Sequence, residues 1–153
     1  VDRMNRSIIN SIFEVETRVL LLLQSVRKKP FTAERIVTMD FIVCYAESFQ
    51  LPFLNLQGDN KNRFSELASR HMRIHSAIKD LVTRGLLDVS VNNGYLFTIS
   101  EMGSKYIRKL KSDYATRYRE IAAAANKLYR DYSDDDLERL IQDATLRSIK
   151  GGR

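Results

Sequence analysis

Two histidines four residues apart, His71 and His75, are the first residues in this chain whose spacing could do chemistry. On a helix that spacing puts both imidazoles on one side, as a metal site requires. No third ligand stands nearby in sequence, and Met72 occupies the place where a zinc protease carries its glutamate. His71 projects within about 40° of the apolar centre of its helix, so it reads as a partly buried structural histidine. Asp134, Asp135 and Asp136 are consecutive, so on a helix start they diverge and suit the positive end of the macrodipole better than a cation. The lone cysteine, Cys44, sits in an apolar run and reads as a small buried hydrophobe. The six glycines are scattered, and none precedes a Lys-Ser/Thr pair as a phosphate loop would demand. The sequence therefore reads as non-enzymatic. No catalytic, cofactor-binding or metal-ligating residue is assigned, and no cofactor is expected.

Basic residues are the remaining candidates. The chain carries a net charge of +6, and the segment from Lys61 to Arg130 holds 14 Lys/Arg against 6 Asp/Glu. The surplus belongs to one region and favours a polyanion or an acidic protein surface as partner. One cysteine allows no internal disulfide, which suits a reducing compartment, and the expected localisation is cytoplasmic. The longest apolar run, Phe41 to Ala46, is too short to span a bilayer, so no membrane partner is expected. The chain begins at Val1, so a targeting signal could lie outside it; no segment within it reads as one.

The elements that must position these residues read as mainly α with a small β-hairpin: a winged helix-turn-helix flanked by long N- and C-terminal helices. The 153 residues fit a single domain, divided into N-terminal helices over 4–49, a winged-helix core over 63–110 and a C-terminal helical extension over 111–149. Ile8, Ile12, Val15, Val19, Leu22 and Val26 recur at helical spacings over 4–27, which ends in Arg27-Lys28-Lys29-Pro30. A second helix spans Phe31 to Phe49 with Thr32 as a plausible N-cap. Residues 50–62 are irregular, and their leucines and Phe53 predict a loop packed on the protein. The third helix runs from about Phe64 to Arg84 and ends at Gly85, suited to a left-handed position. Leu87, Val89 and Val91, then Tyr95, Phe97 and Ile99, alternate around Asn92-Asn93-Gly94 and predict a half-buried hairpin. Ser100 can cap one long last helix reaching Tyr132, with a heptad-like seam of Ile107, Leu110, Tyr114, Ile121, Ala125, Leu128 and Tyr132. That seam suits either the protein's own first helices or an arm for a partner. Ser133 then caps a short final helix.

A winged-helix DNA reader needs cations on its recognition helix and wing, because phosphate neutralisation drives most nucleic-acid affinity. Here the third helix shows a mixed outer face: Arg73, Arg84 and Lys79 beside Glu66, Ser69, Met72 and Asp80. The hairpin from Asp88 to Thr98 contains no Lys or Arg. A better cluster for DNA phosphates is Lys105, Arg108, Lys109 and Lys111, which a solvated helix face explains about as well.

Several segments together resemble the middle component of bacterial ABC-three-component systems. They are Asp40-Phe41-Ile42, Leu54-Asn55-Leu56, Arg63-Phe64-Ser65-Glu66-Leu67 with Arg70, Arg84-Gly85-Leu86, Gly94-Tyr95, Thr98 to Glu101, and Tyr114 to Arg119. After the second helix the chain departs from the family's Ser-Gly-Asp and carries Glu47-Ser48-Phe49. The resemblance implies a non-catalytic accessory or scaffold subunit of a Lamassu-type anti-phage or anti-plasmid complex. Such a subunit bridges an SMC-like ATPase and an effector nuclease and regulates effector release; a non-specific DNA contact is expected only from the basic cluster at Lys105, Arg108, Lys109 and Lys111. Partner-binding residues expected on this reading are Arg63, Glu66, Arg70, Arg73 and Arg84. The alternative is a free-standing winged-helix DNA-binding transcription regulator.

Overall fold

The computed structural model describes residues 11–56 and 63–151. Helix α1 covers Ile12–Val26, and Ser11 caps it by accepting a hydrogen bond from the Glu14 amide at 3.2 Å. The part of the sequence-predicted helix over residues 4–10 lies outside the described residues. From Glu14 to Leu23 every residue of α1 is buried, charged ones included, because helices pack on it from several sides. Helix α2 covers Ala33–Cys44, shorter than the 31–49 expected. Thr32 is its cap, with Oγ1 accepting from the Arg35 amide at 3.0 Å. Phe31 stays outside the helix because its main chain exchanges two hydrogen bonds with Phe97. Beyond Cys44 the chain tightens into a 3-10 turn over Ala46–Phe49, and Gln50 then turns left-handed at φ 60°. The following loop packs as expected: Leu51 is buried, and the Leu56 amide donates to the Cys44 carbonyl at 3.1 Å.

A second 3-10 turn, Arg63–Glu66, leads into α3, Leu67–Thr83. Its apolar stripe of Ile74, Ile78 and Leu81 is buried, as the periodicity predicts. Two main-chain bonds close its end: the Gly85 amide donates to Val82 and the Leu86 amide to Leu81, with Gly85 at φ 75°. This paired closure needs a left-handed residue at Gly85, which glycine adopts without a Cβ penalty.

Strands β1, Leu87–Val91, and β2, Tyr95–Ile99, pair antiparallel with Val89 opposite Phe97. Only the base of the hairpin is buried. Val89, Val91 and Tyr95 are 47%, 75% and 69% exposed, so the expected half-buried face reaches solvent at the tip.

The single last helix expected over 101–132 is two helices. Helix α4, Glu101–Arg108, is capped by Ser100, and α5, Asp113–Leu128, by Ser112, whose Oγ accepts from the Ala115 amide at 3.2 Å. The Lys109 and Leu110 amides reach back only three residues, which unwinds α4, and Ser112 starts a new helix. Tyr118, Ile121, Ala122 and Ala125 face inward against α1 and α2, whereas Leu128 and Tyr132 of the predicted seam are 49% and 41% exposed. The seam therefore serves the protein's own first helices for most of its length. Helix α6, Asp134–Gly151, is longer than expected and buries Leu137, Ile141 and Ala144. Ser133 and Asp136 cap it reciprocally, each side chain accepting from the other's amide at 3.0 Å. Asp134 points elsewhere, accepting from Thr32 Oγ1 at 2.6 Å, so Asp134 and Asp136 diverge.

Candidate functional site

Four helices meet around one buried carboxylate. Asp40 is 1% exposed, and its Oδ1 accepts from Arg18 Nε at 3.0 Å and from the Tyr118 hydroxyl at 2.7 Å. Its Oδ2 accepts from Arg70 Nη1. Burial opposes the charge on Asp40, but the two guanidiniums and the hydroxyl outweigh it and hold the carboxyl below its ordinary value. Arg70 also lies over the rings of Phe41 and Tyr45, and Tyr45 donates to Glu66 at 3.3 Å. Cys44 sits 3.8 Å from Asp40; burial and that carboxylate push its thiol up to about 11, so it stays protonated. The network ties α1, α2, α3 and α5 together. Asp40, Arg70 and Tyr118 all fall in segments that carry the family resemblance, and the fold makes them one cluster. Arg18 was not singled out in the sequence. Its signal was a cation beside Glu14 and Glu16 at the head of an apolar run, on a helix buried on more than one side.

Arg35 is a second hub. It donates to the Tyr129 and Tyr132 carbonyls at 3.2 and 2.7 Å, closing the end of α5, and pairs with Asp134 at the start of α6.

On one face of the hairpin lies an open groove of ≈ 680 Å³. Ile78 and Val82 of α3, Val89 and Tyr95 of the hairpin, and Ala33 of α2 give it an apolar floor, rimmed by Glu34, His75 and Lys79. The His71 and His75 rings stack 6.2 Å apart, and His71 is half-buried. The other face carries a cleft of ≈ 890 Å³ lined by Arg27, Lys28, Lys105 and Arg108, with Asp88 and Glu101 as its carboxylates. Lys105 pairs with Glu101 at 3.6 Å, and Arg108 donates to the Ser104 carbonyl at 3.3 Å. Lys109 and Lys111 are exposed but do not line that cleft.

The residues expected to bind partners are dispersed. Arg63 lies over the Phe64 ring at 4.8 Å, Glu66 accepts from Tyr45, and Arg73 donates to Ser69 at 2.9 Å. Arg70 belongs to the interior, 4% exposed and paired with Asp40, because its helix face turns toward α2. Arg84 bridges two carboxylates, Glu16 at 3.3 Å and Asp80 at 3.1 Å.

That bridge has a pH signature. Burial, then the neighbouring Asp80, push Glu16 up to about 7 from its ordinary 4.5. The native state holds an extra proton between those values, so stability falls as pH rises through that window. Glu14, raised chiefly by burial, acts in the same direction. Glu16→Gln is expected to reduce this slope. Urea midpoints from pH 5 to 8 measure it, and an unchanged slope would show that Glu16 titrates normally.

Such a fold defines a mainly α-helical protein with one small antiparallel hairpin, whose grooves are open surfaces on either side of that hairpin. Residues 8–151 match the ABC-three component (ABC-3C) system Middle Component 2 family, and the chain belongs to it. The family places it as a component of a multi-subunit system. No curated protein and no solved structure matches the chain. Among the described residues no helix is long and apolar enough to cross a membrane.

Proposed function

We propose that this chain is a non-catalytic accessory subunit that bridges an SMC-like ATPase and an effector nuclease in a Lamassu-type defence complex, and regulates release of the effector. The observation that carries this reading is the family match over residues 8–151. The surface supports it. A winged-helix module fits the order of helices, with Phe31 as a one-residue third strand beside β2. The groove beside the hairpin has an apolar floor of Ile78, Val82, Val89 and Tyr95 with Glu34, His75 and Lys79 at its rim, and the outer face of α3 is mixed in charge. An exposed apolar groove with a polar rim suits a protein partner, and the cation-free hairpin argues against a free-standing transcription regulator.

Co-expression with an SMC-like ATPase and an effector nuclease of the same host, followed by affinity capture and sizing, tests the proposal. The expected result is one complex containing all three. Tyr95→Ala should weaken that complex by about tenfold or more, as loss of an aromatic anchor does. It should leave the fold intact, because Tyr95 is 69% exposed. A chain that ignores both partners yet binds a short palindrome would overturn the reading.

A further inference from the structure

We infer that the basic cleft between the end of α1 and α4 holds the phosphate backbone of duplex DNA without sequence preference. This goes beyond the proposed bridging role and stands on different residues. Cations far apart in sequence, Arg27 and Lys28 on one side and Lys105 and Arg108 on the other, line one open cleft of ≈ 890 Å³. They outnumber its two carboxylates, and Glu101 is already paired with Lys105. Asp88 opposes an anion at its own position and the Glu101 pairing compensates Lys105 in turn, so binding rests on a surplus of two cations over the lining carboxylates. Gln24 and Ser104 add neutral groups that hydrogen-bond phosphate oxygens.

Arg27 supplies an independent observation. It sits at φ 54° and ψ −111°, a left-handed φ that glycine adopts at little cost and an arginine rarely does. Among the described residues its side chain has no hydrogen bond or ion pair that would explain its presence. Strained backbone of this kind collects at functional positions. The long cationic side chain lines the cleft at a position where glycine would fold more easily.

A flat acidic protein surface is the competing occupant. Duplex DNA fits better because the cations come from two separate helices, as a strand running along the cleft requires, and because the lining holds no aromatic residue and one apolar side chain, Ile99.

Anisotropy of a labelled 20-base-pair duplex, titrated with the full chain from 50 to 200 mM salt, tests the inference. Binding is expected at about 10⁻⁶–10⁻⁴ M near physiological salt and tighter at 50 mM, with a slope of log affinity against log salt of roughly −0.9 per phosphate contacted. Lys105→Glu with Arg108→Glu should cut affinity at least about tenfold and reduce the salt slope by about two contacts. Reversing Arg139 and Arg147 on α6 should change neither. Arg27→Gly separates the two roles of that residue: it should raise the thermal midpoint while weakening DNA binding. Absence of binding at 50 mM salt would overturn the inference. So would an equal loss in the α6 control, a salt slope unmoved by the cleft variants, or tighter binding of polyglutamate than of DNA.

Discussion

Replacing Asp40 with alanine is expected to destabilise the protein by about 3–5 kcal/mol, because it removes the buried carboxylate that Arg18 and Arg70 share and leaves Arg18 the longer contact to Glu14 at 3.7 Å. Arg18 and Arg70 are 2% and 4% exposed, so neither guanidinium can recover its lost partner from water. For a chain of this size the loss corresponds to a fall in thermal midpoint of roughly 10 °C. Asp40→Asn should do nearly as much harm, since it keeps the shape and removes the charge. Guanidinium unfolding of the full chain measures both. A loss below about 1 kcal/mol for either variant would mean that the network contributes little. The same carboxylate makes the fold acid-sensitive in a defined direction. Its folded value is lowered, so its stabilisation is fully present above the unfolded carboxyl value of about 4. It is lost as pH falls from there through the lowered folded value. This runs opposite to Glu16, so stability is expected to peak between the two windows.

Gly103→Ala carries the second large effect, and its sign is diagnostic. In an ordinary helix, alanine for glycine stabilises by about 0.5–1 kcal/mol. Gly103 lies in the first turn of α4, and a methyl group there would overlap the Leu86 main-chain oxygen and press on Ile99 Cγ1 at 3.0 Å. That oxygen already accepts from the Ser100 amide at 3.1 Å, so the clash is with fixed backbone. The helix must move away, at a cost of about 1–3 kcal/mol. Thermal unfolding decides it, and a raised midpoint would refute the close approach. Because α4 carries Lys105 and Arg108, the variant should also displace one wall of the basic cleft.

Much of the fold was legible because it is local. Gly85 after Leu81 and Val82 announced the end of α3, and Asn92-Asn93-Gly94 between alternating residues announced the hairpin. Thr32, Ser100 and Ser133 act as the caps that their positions suggested. The break between α4 and α5 was missed because a periodic seam masks a capping serine. Ser112 became decisive only when α5 turned to pack Tyr118 and Ile121 against α1 and α2. Residue type had already indicated an apolar Cys44, diverging acids at Asp134 to Asp136 and a hairpin without Lys or Arg, since these depend on side-chain chemistry and spacing alone. Where the charges go was decided only in three dimensions. Arg70 looked like a surface contact and became an interior partner of Asp40, while Arg27 and Lys28 looked like helix-end cations and became one wall of a cleft with Lys105 and Arg108. An isolated helix carries its periodicity in sequence, but the meeting of residues 18, 40, 70 and 118 depends on how four helices cross. That crossing is set by the summed packing of the core, which no local stretch encodes.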